Sequence, residues 1–87
     1  MIDSTFLEEE LLRIASARAP DKTACPSEAA RAIAGDHPDN WGALMQPLRR
    51  AAVRLAEAGR LVLYRKGRVV DPRELRGIYR IGLPRHD

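Results

Sequence analysis

The stretch that decides the fold runs from Trp41 to Asp71. It begins Trp41-Gly-Ala-Leu-Met-Gln-Pro-Leu-Arg-Arg-Ala-Ala-Val-Arg-Leu-Ala-Glu-Ala-Gly59, and its apolar residues share one helical face. The members of this face are Leu44, Leu48, Ala51, Ala52 and Leu55. Gly59 is suited to end the helix, because glycine adopts a left-handed conformation without steric cost. This part predicts a helix that ends at Gly59.

The continuation Arg60-Leu-Val-Leu-Tyr-Arg-Lys-Gly-Arg-Val-Val-Asp71 predicts a basic β-hairpin. Residues 61–64 favour a strand, Lys66-Gly67 favours a turn, and residues 69–70 favour a short return strand. Within the preceding helix, Pro47 lacks the N–H that an interior position requires. We therefore expect either a kink at Pro47 or a short turn at 41–45 followed by the main helix from Pro47.

The residues on either side complete an α+β pattern. A first helix is expected over about 4–18, with Thr5 and Glu8 in capping-box spacing and an apolar stripe formed by Phe6, Leu7, Leu11, Ile14 and Ala15. A second helix is expected over 26–34, ended by Gly35 and preceded by a short strand at 23–25. Asp39 or Asn40 is expected to cap the third helix, and residues 77–83 are expected to form the last strand.

Length and composition predict one cytoplasmic domain. The 87 residues suit a single domain over 1–87, with residues 1–3 and 84–87 expected to fray. The chain has no apolar run long enough to span a membrane, and its first ten residues lack the order of a signal peptide. The lone Cys25 predicts no internal disulfide, and no residue spacing suggests a metal or cofactor site.

The charge of the chain is divided unevenly along its length. Residues 1–40 carry eight acidic and four basic side chains, whereas residues 41–87 carry four acidic and eleven basic side chains. The second part therefore has an excess of seven positive charges. A basic surface of this kind is typical of proteins that bind a polyanion.

The order helix, helix, turn, helix and two-stranded hairpin resembles the winged helix-turn-helix arrangement. More closely, the chain resembles a bacterial family of small uncharacterised winged-helix proteins, a domain of unknown function. The segments that carry the resemblance are Pro26-Ser-Glu-Ala-Ala-Arg31, Trp41-Gly-Ala-Leu-Met45, Leu48-Arg-Arg-Ala-Ala52, Ala58-Gly-Arg-Leu61, Lys66-Gly67, Val70-Asp-Pro72 and Arg76-Gly-Ile-Tyr-Arg80. The resemblance implies a three-helix, β-hairpin-wing fold with a small antiparallel sheet, and it implies no catalytic residue.

The resulting hypothesis is a DNA-binding domain, such as a transcription regulator or an accessory chromosome protein. In helix-turn-helix proteins the second helix of the motif enters the major groove, while a wing contacts the phosphate backbone. The DNA-contacting residues we expect are Asn40, Gln46, Arg49, Arg50 and Arg54 on the third helix, Arg65, Lys66 and Arg68 on the wing, and Ser27 and Arg31 on the second helix. Asp36 and Asp39 oppose tight binding, since they would repel phosphates.

Two other classes of function are alternatives to DNA binding. A winged-helix module that binds a protein or a second copy of the chain would need an apolar exposed patch, expected around Met45, Val53 and the first helix. An enzyme is not expected, because the sequence has no nucleophile–base pair, phosphate loop or metal set. For the DNA hypothesis, the expected partner is double-stranded DNA.

Overall fold

The protein consists of helices followed by a small antiparallel sheet. The computed structural model describes residues 3–19 and 22–84. The helices are α1 (Ser4–Arg18), α2 (Pro26–Ala34), α3 (Pro38–Trp41) and α4 (Met45–Glu57), with a 3-10 turn at Gly42–Leu44. The strands are β1 (Val62–Arg65), β2 (Arg68–Val69) and β3 (Arg80–Gly82), with a 3-10 turn at Pro72–Glu74 before β3. This architecture confirms the predicted α+β class and is compatible with a winged-helix-like arrangement.

The sheet has the strand order β2-β1-β3, and both strand pairs are antiparallel. Ala24 extends it beyond β3, because Ala24 and Ile81 exchange two backbone hydrogen bonds of 2.8 Å. The short strand expected at 23–25 is thus a single residue pair. The last strand covers only residues 80–82 instead of the expected 77–83. Ala24 ties the start of α2 to the end of the sheet.

The start of α1 differs from the predicted capping box. Asp3 is the N-cap, and its carboxylate accepts a 2.9 Å hydrogen bond from the backbone N–H of Thr5. Since this carboxylate already satisfies an unpaired N–H of the first turn, Glu8 is free to accept a 3.1 Å bond from Arg54 Nε instead. The prediction that Phe6 belongs to the apolar stripe of α1 is also wrong, because its side chain is exposed.

The segments expected to fray are described only in part. Residues 1–2 and 85–87 lie outside the described ranges. Asp3 caps α1, and Pro84 is half-buried.

The core lies between the helices and one face of the sheet. α4 packs against α1, α2 and β1, and alanines on α2 and α4 allow the backbones to approach closely. The buried members of the hydrophobic core cluster are Leu7, Leu11, Ala15, Ala24, Ala29, Ala30, Leu48, Ala51, Ala52, Leu55, Leu61, Leu63, Tyr79 and Ile81. The core fixes one side of α4 and leaves the opposite side at the surface.

The predicted third helix is divided into α3, a 3-10 turn and α4. Pro47 is the third residue of α4, a first-turn position where a missing N–H removes no bond within that helix. The expected short turn before the main helix is confirmed, although α4 begins two residues before Pro47. The predicted cap at Asp39 or Asn40 is wrong. His37 is the N-cap of α3, and its Nδ1 accepts a hydrogen bond from Asp39 N at 3.2 Å.

Gly59 directs the chain from α4 into β1. Its φ is +78°, and the N–H groups of Gly59 and Arg60 donate to the carbonyls of Ala56 and Leu55. This pair of bonds is the Schellman motif. β1 and β2 are then joined by the predicted two-residue turn, in which Lys66 and Gly67 have φ of +53° and +80°. Positive φ at both positions matches the twist of a hairpin.

Substituting two exposed glycines should change stability in opposite directions. Gly59→Ala should lower the free energy of unfolding by about 1–2 kcal/mol, because a Cβ is disfavoured at positive φ. Gly42→Ala is the matched control: Gly42 is right-handed helical, with nothing within 4 Å of an added Cβ. It should raise stability by about 0.4–1 kcal/mol. Urea unfolding measures the change in the free energy of unfolding for each variant. Changes of the same sign would contradict a left-handed conformation at Gly59 and a right-handed one at Gly42.

Candidate nucleic-acid interface

The side of α4 that faces away from the core carries four of the predicted contact residues. Gln46, Arg50 and Arg54 are exposed, and Arg49 is half-buried. Arg49 and Arg50 follow Gln46 by three and four residues, and Arg54 follows Arg50 by four, which places the set on one helical face. Together with Val53 they line a shallow depression of about 460 Å³. The structure therefore brings these four side chains onto one surface.

Arg49 is held by the loop that precedes β3. Its Nη1 donates to the carbonyl of Gly77 at 3.0 Å, and its Nη2 donates to the carbonyl of Leu75 at 2.9 Å. Its guanidinium also lies 5.4 Å from the ring centroid of Tyr79, within the range of a cation–π contact. Arg49 thus joins α4 to this loop with a fixed orientation. Its partners lie too far along the chain for the sequence to have indicated them.

Arg65, from the hairpin, approaches the same loop. Its Nη2 would lie 3.2 Å from a Cβ built on Gly77, so Arg65 packs where glycine leaves room. Arg49 of α4 and Arg65 of β1 therefore meet at Gly77. At the hairpin turn, Lys66 and Arg68 are exposed, and neither forms an ion pair among the described residues.

Three further residues are predicted to contact DNA, and they lie in different surroundings; Arg54 also has a partner outside α4. Ser27 is half-buried, and its Oγ lies 3.0 Å from Cys25 Sγ. The Arg31 guanidinium stacks over the Trp41 ring at 4.8 Å. Arg54 is partly neutralised by its 3.1 Å ion pair with Glu8. Asn40 is exposed within α3.

Negative charge lies beside the start of this surface. Asp36 and Asp39 are exposed, and the Asp39 carboxylate lies 3.8 Å from His37 Nδ1. No Arg or Lys is paired with either aspartate among the described residues. The repulsion of phosphates that the sequence predicts for these two aspartates therefore remains in the structure.

A deeper groove adjoins the first depression and shares Gln46 and Arg49 with it. It has a volume of about 600 Å³ and lies between the start of α2, the start of α4 and the loop before β3. Its walls are formed by Cys25, Pro26, Ser27, Trp41, Met45, Gln46, Arg49, Gly77, Ile78 and Tyr79. The groove is therefore mostly apolar, with Arg49 and a few hydroxyl and amide groups as its polar points.

Tyr79 is the unusual member of this groove. Only 5% of the residue is exposed, and burial raises the pKa of its hydroxyl to about 12. Its Oη has no hydrogen-bond partner among the described residues. A buried hydroxyl without a partner costs about 1–3 kcal/mol. The sequence suggested that Tyr79 packs on a strand, and it gave no signal for the unpaired hydroxyl.

Glu28 fixes the α2 side of the groove. Its carboxylate accepts a 2.9 Å hydrogen bond from Cys25 N and a 2.7 Å bond from Arg18 Nη2. The bond from the Cys25 backbone, together with Arg18, lowers the pKa of this carboxyl below its usual value. The ionised group thus anchors Cys25 next to the groove.

The residues named for the protein-binding alternative lie at different depths, and Phe6 on α1 is exposed. Met45 and Val53, expected in an exposed apolar patch, are half-buried and pack against the core. In residues 3–19 and 22–84, no group of three or more His, Cys, Asp or Glu side chains is placed to hold a metal ion. None of the helices in these ranges is long and apolar enough to cross a membrane.

Comparison with known families gives one match that covers nearly the whole chain. The model of a family described as "Protein of unknown function (DUF3253)" matches residues 4–84. No curated protein was found to match the chain significantly. The match includes all four helices and the three strands.

Proposed function

The chain belongs to the DUF3253 family, whose description assigns no activity, and we propose that it is a cytoplasmic winged-helix domain that binds double-stranded DNA. α4 enters the major groove, and the β1–β2 hairpin lies on the phosphate backbone as the wing. A small regulator of transcription or an accessory chromosome protein would act in this way.

The observation that carries this proposal is the meeting of Arg49 and Arg65 at Gly77. Because these arginines come from α4 and β1 and both contact Gly77, they link the positive charge of the helix to that of the hairpin. Arg50 continues this charge along α4, where it lines the same depression as Arg49. A continuous basic surface shared by a helix and a wing suits the phosphates of a duplex.

The residues of this surface have different roles in the proposal. Gln46, at the start of α4, and Arg50, one turn further along, are both exposed. In an inserted helix, side chains of the N-terminal part reach base edges. Arg can pair with guanine, and Gln can pair with adenine. Lys66 and Arg68 contact phosphates. For DNA binding Arg49 is a positioning residue, because two of its N–H groups hold carbonyls of the loop before β3.

Binding of this kind should have limited sequence selectivity. Gly42 and Ala43 precede α4 and offer no polar group to a base. Asp36 and Asp39 repel phosphates near the same end, and Arg54 is partly neutralised by Glu8. Affinity therefore depends mainly on phosphate contacts.

The test is a titration of random duplex DNA by fluorescence anisotropy at increasing salt. If about five phosphates are neutralised, affinity should fall by about 10²–10³-fold between ~50 mM and ~200 mM salt, because counterions are released on binding. A single-stranded oligonucleotide of the same length is the control and should bind more weakly. The proposal is wrong if duplex fails to bind at the lower salt concentration or if its affinity does not depend on salt.

A further inference from the structure

We propose that the groove between α2, α4 and the loop before β3 is a binding site for a small aromatic carboxylate. This groove shares Gln46 and Arg49 with the depression on α4, but the inference does not require that the protein bind DNA.

The apolar part of such a ligand matches the walls of the groove. Trp41, Met45 and Ile78 surround an open volume of about 600 Å³, which is within the usual size range of small-molecule sites. Ile78 is 86% exposed, although a large apolar side chain gains free energy when it leaves water. A ring lying in the groove would cover Ile78 and pack against the half-buried Trp41.

The charged part of the ligand matches Arg49. The described contacts of this guanidinium use one N–H of Nη1 and one of Nη2, so Nε–H and a second N–H on each terminal nitrogen are left for a ligand. Arginine binds carboxylates through two parallel hydrogen bonds. No Asp or Glu side chain lines this groove, and the Glu28 carboxylate beside it is paired with Arg18, so for a carboxylate the attraction of Arg49 outweighs local repulsion.

Tyr79 gives a second reason to expect a ligand that accepts a hydrogen bond in this groove. Its buried hydroxyl has no partner, and Arg49 lies over its ring. Tyr79 lines the groove, so a carboxylate held by Arg49 places an acceptor oxygen beside this side chain, and we expect the Tyr79 hydroxyl to donate to it. Binding then removes the cost of the unpaired hydroxyl.

The experiment uses 2-naphthoate as the probe, with the neutral isostere 2-naphthamide as its control. Calorimetric titration of the full chain should show 2-naphthoate binding at least about 10-fold more tightly than 2-naphthamide, the ratio expected for one charge-assisted pair. In ¹H–¹⁵N spectra, the side-chain signals of Trp41 and Arg49 should shift together during the titration. Equal affinities for the two probes, or binding of neither, would overturn the proposal.

Two variants locate the site. Tyr79→Phe should weaken 2-naphthoate by about 5-fold without lowering thermal stability, because it removes a hydroxyl that has no partner in the free protein. Arg50→Ala combined with Lys66→Ala removes cations outside the groove and should leave the 2-naphthoate affinity unchanged. If Tyr79→Phe binds as the parent does, or if the double variant loses binding, the probe lies elsewhere and the proposal is wrong.

Discussion

Replacing Arg50 and Lys66 together with Ala should weaken binding to random duplex DNA by about 10²-fold at ~50 mM salt. Each phosphate contact contributes about one unit to the slope of log affinity against log salt, so the double variant should also lower that slope by about two. Both side chains are exposed, and surface substitutions of this kind usually change stability by less than about 0.5 kcal/mol. Lys66 already has a Cβ at positive φ, so Lys66→Ala adds no backbone strain.

The matched control removes two charges from the other part of the molecule. Arg13 on α1 and Lys22 before α2 are also exposed, and their double Ala variant has the same net charge as the first. Arg13 is paired with Glu10 on the surface of α1, so this variant also breaks one exposed ion pair, which contributes little to stability. It should retain the parent affinity to within about 3-fold, since only long-range screened attraction is lost. Anisotropy titrations of both variants measure the contrast. Equal losses would mean that total charge, and not the surface on α4 and the hairpin, determines binding.

Arg49 and Arg65 are left unchanged in this comparison because of where the structure places them. Arg49 holds the loop before β3 through the carbonyls of Leu75 and Gly77, and Arg65 packs against Gly77. Their substitution would disturb the loop as well as remove charge. A loss of DNA affinity in such variants would therefore have two causes that the measurement could not separate.

Features set by local chemistry were predictable from the sequence. Gly59 ends α4 because a left-handed residue is needed there, and Lys66-Gly67 turns the chain because a two-residue hairpin needs positive φ twice. The buried face of α4 followed from its helical spacing. Pro47 indicated a break in the helical run, although spacing alone could not decide between a kink and a new helix start.

Features set by tertiary contacts were not predictable in the same way. Glu8 has capping-box spacing with Thr5, yet it pairs with Arg54 from a distant helix. Arg49 has the spacing of a surface residue, yet its partners are 26 and 28 residues further along the chain. The groove at Tyr79 combines three separate segments, so no single stretch contains a signal for it. The sequence thus predicted the cations of the candidate interface. It did not predict that Arg49 is held by the loop before β3.

Leu48→Ala should lower the free energy of unfolding by about 2–5 kcal/mol. Leu48 is completely buried on the core side of α4, where the shorter side chain leaves a cavity that the neighbouring helices fill only in part. Small domains are stable by about 5–15 kcal/mol in total, so a loss of ~3 kcal/mol should lower Tm by about 10–20 °C. Thermal and urea unfolding followed by circular dichroism measure the change.

Leu48→Met is the control, because it keeps the volume of the side chain and should cost less than about 1.5 kcal/mol. Similar losses for Met and Ala would contradict a cavity as the cause. Leu48 lies on the opposite side of α4 from Arg50, so at temperatures where Leu48→Ala remains folded its affinity for duplex should equal that of the parent. The Arg50 and Lys66 variant should show the reverse, losing affinity without losing stability. Together the two results would assign the core and the interface to opposite faces of one helix.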